Sequence, residues 1–235
     1  MAQERDYVRV SVDSHQTGDC QPTTDNFPFM TIREAEARGM KAADTLLWRA
    51  WGSNVHPSMR WLVRLPSFAI GVFGRSGISH AAKIRGRRGH WTVMESVQWH
   101  GCREKPLEEY VREEPGRILW MRIDTEHFPE YDRRQAVAGF RGLIGRPYGW
   151  HNLVLVGLVH FPVFRFMVPW FLRSLENDKE HDRWPPFCSQ AVSFADRAGN
   201  VDPVPFLGDR WTEPGDLLRS RLYAPGGCLV PDSMA

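Results

Sequence analysis

The chain has 235 residues, 42% hydrophobic, 12% aromatic and 25% charged, which is the balance of a globular protein and not of a disordered, collagen-like or coiled-coil chain. Thirty Lys and Arg against 28 Asp and Glu leave a formal charge of +2, too even to mark a nucleic-acid binder. Cys20, Cys102, Cys188 and Cys228 are far apart and form neither a CxxC pair nor a disulfide framework, so free thiols in a reducing cytoplasm are expected. Glu4 and Asp6 stand where a secretory leader would carry bases, and no apolar run follows them; export without a classical leader stays open.

Residues 1–27, rich in Asp, Thr, Gln, Ser and Asn, read as a loose arm, with residues 28–235 as one domain. Residues 30–43 predict a short helix, with Thr31 as N-cap and Glu34 completing a capping box. Leu46-Leu47-Trp48 reads as a buried strand, and the Gly-, Pro- and base-rich stretch 51–77 takes no assignment. Apolar-rich runs at 78–84 and 91–97 flank Arg85-Gly86-Arg87-Arg88-Gly89-His90 and predict a β-hairpin. A helical turn over 107–112 starts near Pro106, and 117–123 predicts a buried strand. Ala136, Val137, Phe140 and Leu143 stand at helical spacing within 131–143. The most hydrophobic window, 153–172, is interrupted by His160, Pro162, Arg165 and Pro169. It reads as a buried helix broken at Pro162, or as an interfacial, lipid-facing lid. A helix over 187–197 enters through Pro185-Pro186 and stops at Gly199, and one helical turn around Asp216 interrupts a Pro/Gly-rich tail.

Within the hairpin, a turn centred between Arg87 and Arg88 would place His80 directly opposite Glu95. Their Cβ atoms would lie roughly 4.5–5.5 Å apart, among Ala82, Ile84, Trp91 and Val93. A carboxylate at that reach fixes the tautomer of an imidazole and stabilises its protonated form. The face depends on register, because a one-residue slip turns one of the pair away. The same two residues would equally make an ordinary surface ion pair.

Cys188 follows Pro185-Pro186-Phe187 and should open a helix. Unpaired backbone N–H groups and the positive end of the dipole favour a thiolate there and could hold an oxyanion. The bland alternative is a small buried apolar residue.

Three segments carry a resemblance when taken in order: Ser79-His80-Ala81-Ala82-Lys83-Ile84, Val93-Met94-Glu95-Ser96 and Phe187-Cys188-Ser189-Gln190-Ala191-Val192. They resemble the circularly permuted NlpC-type, papain-like cysteine hydrolases of the YiiX-like branch, in which the His and acid strands precede the nucleophile helix. Asp44-Thr45-Leu46-Leu47 is similar to the Gly-Asp-Leu-Leu strand entry of that group, with Ala43 replacing the Gly. Lys105-Pro106-Leu107-Glu108-Glu109-Tyr110, Gly145-Arg146-Pro147-Tyr148-Gly149 and Pro214-Gly215-Asp216-Leu217 are similar to its Pro-Leu turn, Gly-x-Pro-Tyr segment and late Pro-x-Asp-Leu turn. The resemblance spans 40–223 and is interrupted by the hydrophobic insert 153–172. It implies an α+β, papain-like fold in which a nucleophile helix packs on an antiparallel sheet. It also implies Cys188 as nucleophile, His80 as general base and acid, Glu95 as the group orienting His80, and Tyr148 as a substrate or oxyanion contact.

The implied activity is amide hydrolysis through an acyl-enzyme, with a peptide or peptidoglycan-derived peptide as substrate and no cofactor. Two alternatives stand beside it. One is acyl transfer or hydrolysis on a lipid, with 153–172 as membrane-surface platform; the other is a catalytically silent binding module of the same fold. His100 and Cys102 could supply two metal ligands but lack a second pair at zinc spacing, so no metal site is expected. Lys83, Arg85, Arg87 and Arg88 read as a solvated basic knob at the hairpin tip, or as a landing point for an anion.

Overall fold

The structure is a computed structural model, and it describes residues 27–50, 77–151, 185–205 and 207–234. Seven strands form one sheet: β1 (Phe29–Met30), β2 (Thr45–Arg49), β3 (Ile78–Arg87), β4 (His90–Val97), β5 (Gly101–Pro106), β6 (Ile118–Ile123) and β7 (Tyr223–Leu229). Five α-helices are described: α1 (Ile32–Ala37), α2 (Leu107–Glu113), α3 (Arg133–Arg141), α4 (Cys188–Ala198) and α5 (Pro214–Arg219). The spatial order is β1-β7-β6-β2-β3-β4-β5. Every adjacent pair is antiparallel except β1 with β7, which is parallel. The expected α+β class is met, but the sheet is mixed and not purely antiparallel.

Strand alternation separates two cores. Leu47, Ala81, Met94, Leu119 and Met121 pack with Ala136 and Phe140 of α3, Ala191, Val192 and Ala195 of α4, and Leu217 and Leu218 of α5. Leu46, Trp48, Ala82, Ile84, Val93 and Trp120 pack with Ala35 of α1 and with Leu107, Tyr110 and Val111 of α2. The central strands are therefore covered on both sides.

Local chemistry sets the helix ends. Thr31 caps α1 through the expected capping box, yet the helix ends at Ala37, short of the predicted 43, because Gly39 takes a left-handed φ of 93°. Asp132 caps α3 by accepting from the N–H groups of Arg134 and Gln135. Gly199 ends α4 as expected. Three strands, β1, β5 and β7, are additional to the sequence reading. β5 looked polar, and β7 contains Pro225-Gly226-Gly227. A Cβ on Gly226 would come within 2.4 Å of Trp120, and one on Gly227 within 2.1 Å of Met30, so packing demands the glycines that make the stretch look like a turn.

The hairpin turn also differs from expectation. Arg87 pairs with His90, so the loop is Arg88-Gly89, with Gly89 at φ 78°. Ala82, not His80, stands opposite Glu95. The shift is by two positions, so His80 and Glu95 keep a common face and become diagonal neighbours. Lys83 is not part of a solvated knob: it lies on the opposite face from Ala82 and is 1% exposed beneath α4. The expected arm lies outside the described residues apart from Phe27, which is buried. Residues 51–76 and the insert 153–172 lie outside them as well. Among the described residues no helix is long and apolar enough to cross a membrane.

Candidate active site

β3 carries an irregularity where it matters. Trp48 pairs with His80 but Arg49 pairs with Ile78, so Ser79 is an extra residue on the β3 side. Ile78 and Ala81 consequently reach the same core although an odd number of positions apart. Such a bulge bends a strand and re-aims its side chains. His80 is the first residue past it. Its ring meets Trp48 edge-on at 5.0 Å, and Ser79 Oγ donates to the Trp48 carbonyl at 3.4 Å.

His80 Nε2 lies 2.9 Å from Glu95 Oε2, and Cys188 is near enough to act on the ring electrostatically. With Nε2 committed to the carboxylate, Nδ1 is the nitrogen left for the sulfur. Long side chains thus close the diagonal that a backbone pairing did not supply. Cys188 is the first residue of α4 and is 1% exposed, and Phe187 at the N-cap offers no side-chain acceptor. The start of the helix is tied to the sheet by Ser96 Oγ, which donates to the Pro186 carbonyl at 2.7 Å. Ser189 Oγ donates to the Thr212 carbonyl at 2.6 Å, fixing the other side of the same turn.

Glu95 is 1% exposed and fully engaged. Its Oε1 accepts from Arg103 Nε at 2.9 Å and from the hydroxyl of Tyr110, while Arg103 also donates to that hydroxyl at 3.2 Å. Arg103 is the direct cross-strand partner of Glu95 on β5, and Tyr110 comes from α2. Neither was predicted. The Lys105-to-Tyr110 motif was visible in the sequence, but the strand that delivers Arg103 was not.

The electrostatics follow from these contacts. Burial alone would push the His80 pKa down, yet hydrogen bonds to Cys188 and Glu95, with their charges, raise it from 6.5 to about 10. Burial would push the Glu95 carboxyl up, but His80, then Tyr110 and Arg103, bring it down to about 2. Burial beside Glu95 raises the Tyr110 phenol, so it stays a proton donor. Across the neutral range the site therefore alternates imidazolium, carboxylate and guanidinium, with the Cys188 sulfur beside the imidazolium.

Tyr148 is 7% exposed and packs with Phe187 and Cys188. Its hydroxyl bonds the Gln98 side chain, and burial together with the charge of Cys188 raises its pKa well above the usual phenol range. All four residues expected at the site are thus gathered in one place. His100 and Cys102 are not a ligand pair, since His100 is exposed and Cys102 is buried opposite Ser96 on the sheet. Among the described residues no cluster of three or more His, Cys, Asp or Glu side chains is arranged to hold a metal.

Fold and site together define a class: an α+β chain that presents a helix-terminal cysteine to a carboxylate-bound histidine on a sheet. No protein-family model and no curated protein matches the chain. Among solved structures it is similar to the crystal structure of the metalloprotein yiiX from Escherichia coli O157:H7. That similarity has a TM-score of 0.49 and 14% sequence identity, over 81% of this chain and 98% of the other.

Proposed function

We propose that this protein is a thiol hydrolase that cleaves an amide bond through an acyl-enzyme on Cys188. The observation that carries this reading is a cysteine at the start of α4 beside an imidazole that a buried carboxylate holds through Nε2. The order of His strand, acid strand and nucleophile helix supports the permuted papain-like arrangement that the motifs resemble.

In the resting state His80 carries a proton, because its pKa lies well above neutrality. Cys188 Sγ attacks the carbonyl carbon, and the C=O electron pair moves onto oxygen. The N–H groups of the first turn of α4, which no side chain caps, are placed to receive that oxyanion. As the C–N bond breaks, the imidazolium gives its proton to the leaving amine, and a thioester remains. Water then attacks the thioester, His80 takes its proton, and the acid departs as the C–S bond breaks. Glu95 stays ionised throughout, holding the ring and offsetting its charge. Peptides or peptidoglycan-derived peptides are the proposed substrates, and a reducing compartment such as the cytoplasm keeps the thiol free.

Treatment with p-nitrophenyl acetate tests the reading. The expected result is a burst of p-nitrophenol equal to the protein concentration, with one acetyl group on the Cys188 peptide. A burst that persists in Cys188→Ala, or acetylation at other residues only, would contradict it.

A further inference from the structure

We infer that Tyr148, Trp150 and Trp99, the run of rings that begins against Cys188, form a binding wall for an apolar acyl group. This rests on the proposal that Cys188 is the acyl acceptor and adds which half of the substrate is recognised, and by what chemistry.

The wall is a ladder of rings that starts at the thiol. Tyr148 packs with Cys188; Trp150 meets Tyr148 edge-on at 5.2 Å; Trp99 meets Trp150 at 5.0 Å. Exposure rises along it, from 7% at Tyr148 to 74% at Trp99. Trp99 is the most exposed large apolar side chain among the described residues. It also holds a φ of 70°, which is costly for a bulky residue. Strained, exposed aromatics are kept where the surrounding structure fixes them and something uses them.

The two loops that carry the rings are fastened together. Cys102 N donates to the Arg146 carbonyl at 2.8 Å, and Gly145 N donates to the Cys102 carbonyl at 2.8 Å. Gln98 bonds the Tyr148 hydroxyl. A Cβ on Gly101 would lie 2.2 Å from the Arg146 carbonyl oxygen, so only glycine permits the approach. On the helix side, Gly149 N donates to the Pro186 carbonyl at 3.2 Å, and a Cβ there would lie 2.2 Å from the Pro185 oxygen. Trp99 is thereby held at a set position relative to the sulfur.

The chemistry of the reaction assigns the wall to the acyl half. His80 protonates the leaving group, so that group sits on the His80 side of the sulfur. The ring packed on His80 is Trp48, whereas the ring packed on Cys188, the atom that takes the acyl group, is Tyr148. Residues 97–102 and 145–151 contain no Asp or Glu, so no carboxylate penalises an apolar chain laid across them. An alkyl chain of a fatty amide and a bulky apolar side chain of a peptide share this chemistry.

The test is the rate of Cys188 acylation by p-nitrophenyl acetate, butyrate and octanoate, and by the p-nitrophenyl esters of N-acetyl-glycine and N-acetyl-phenylalanine. The parent should gain about twofold or more per added methylene, short of the roughly fourfold that full burial gives. Trp99→Ala should lower the octanoate-to-acetate ratio, and Trp99→Phe should restore most of it. A larger gain for octanoate over acetate than for phenylalanine over glycine identifies an alkyl chain; the reverse identifies a peptide side chain. A flat chain-length profile, or a ratio unmoved in Trp99→Ala, with Cys188 still acylated, would overturn the wall alone. If no ester acylates Cys188, the wall and the hydrolase proposal both fail.

Discussion

Two buried polar networks hang from β3, three residues apart, and they are built from the same parts. At His80, a carboxylate (Glu95) takes hydrogen bonds from a tyrosine (Tyr110), an arginine (Arg103) and the imidazole. At Lys83, a carboxylate (Asp196 of α4) takes them from two tyrosines, Tyr131 and Tyr223, and from the ammonium at 2.5 Å. Lys83 Nζ further donates to Thr45 Oγ1 at 2.8 Å and to the Ala43 carbonyl at 3.0 Å. The difference lies in closure. Lys83 and Asp196 are 1% and 0% exposed, and their partners satisfy one another. The His80 network reaches solvent at both ends, with His80 at 19% and Arg103 at 35%, and its imidazole faces a sulfur. One network clamps α4, which carries Cys188, to the strand that carries His80; the other stays open to solvent at both ends.

The comparison breaks first at the clamp. Lys83→Met would strand the Asp196 carboxylate in a dry site, at a cost of roughly 3–5 kcal/mol in stability. Urea unfolding should show a lowered midpoint, while the folded fraction keeps a reactive Cys188. Glu95→Gln sharpens the other side. Losing one charge-assisted bond of about 1.5–3 kcal/mol should slow acylation by roughly 10- to 100-fold. It should also draw the His80 pKa down from about 10, since Glu95 is one of the groups holding it up. Arg103→Met, which removes a partly exposed cation and leaves Tyr110 bonded to Glu95, should have the same direction and a smaller effect.

Much of the site was legible because local signals agree with one another. Pro185-Pro186 and Gly199 bracket α4 and put Cys188 at its start. Period-two alternation placed His80 and Glu95 on one face even though the turn was misplaced by one residue. The partners of Glu95 were hidden for a physical reason. Arg103 sits in Gly101-Cys102-Arg103-Glu104-Lys105, an edge strand whose charges look like a loop; it is ordered by Glu95, by the Arg85–Glu104 pair and by the Lys105–Glu113 pair. Lys83 looked like part of a basic tip because Arg85, Arg87 and Arg88 follow it, and only the coverage of both sheet faces reveals its burial. Ala43, the departure from the resembled Gly-Asp-Leu-Leu entry, holds a φ of 72°, the backbone state for which glycine is suited. Asp44 beside it is a tie and not a catalytic group, bonding Trp120 Nε1 at 3.0 Å and Arg133 at 2.6 Å.

The stability contributed by the His80–Glu95 pair has a defined window. The elevated His80 pKa stabilises the fold fully below about pH 6.5, and that gain is lost as pH rises through about 10. The depressed Glu95 pKa stabilises it above about pH 4.5, and that gain is lost as pH falls through about 2. The central claim is that Cys188 and His80, with Glu95 behind the ring, act as one nucleophilic unit. The most direct test is the pH dependence of Cys188 modification by methyl methanethiosulfonate, read by peptide mass spectrometry with buried Cys102 and Cys228 as internal references. The account predicts a rate at Cys188 that far exceeds both references from about pH 5 to 8 and drops sharply in His80→Ala. A Cys188 rate no faster than the references, or one unmoved in His80→Ala, would contradict it.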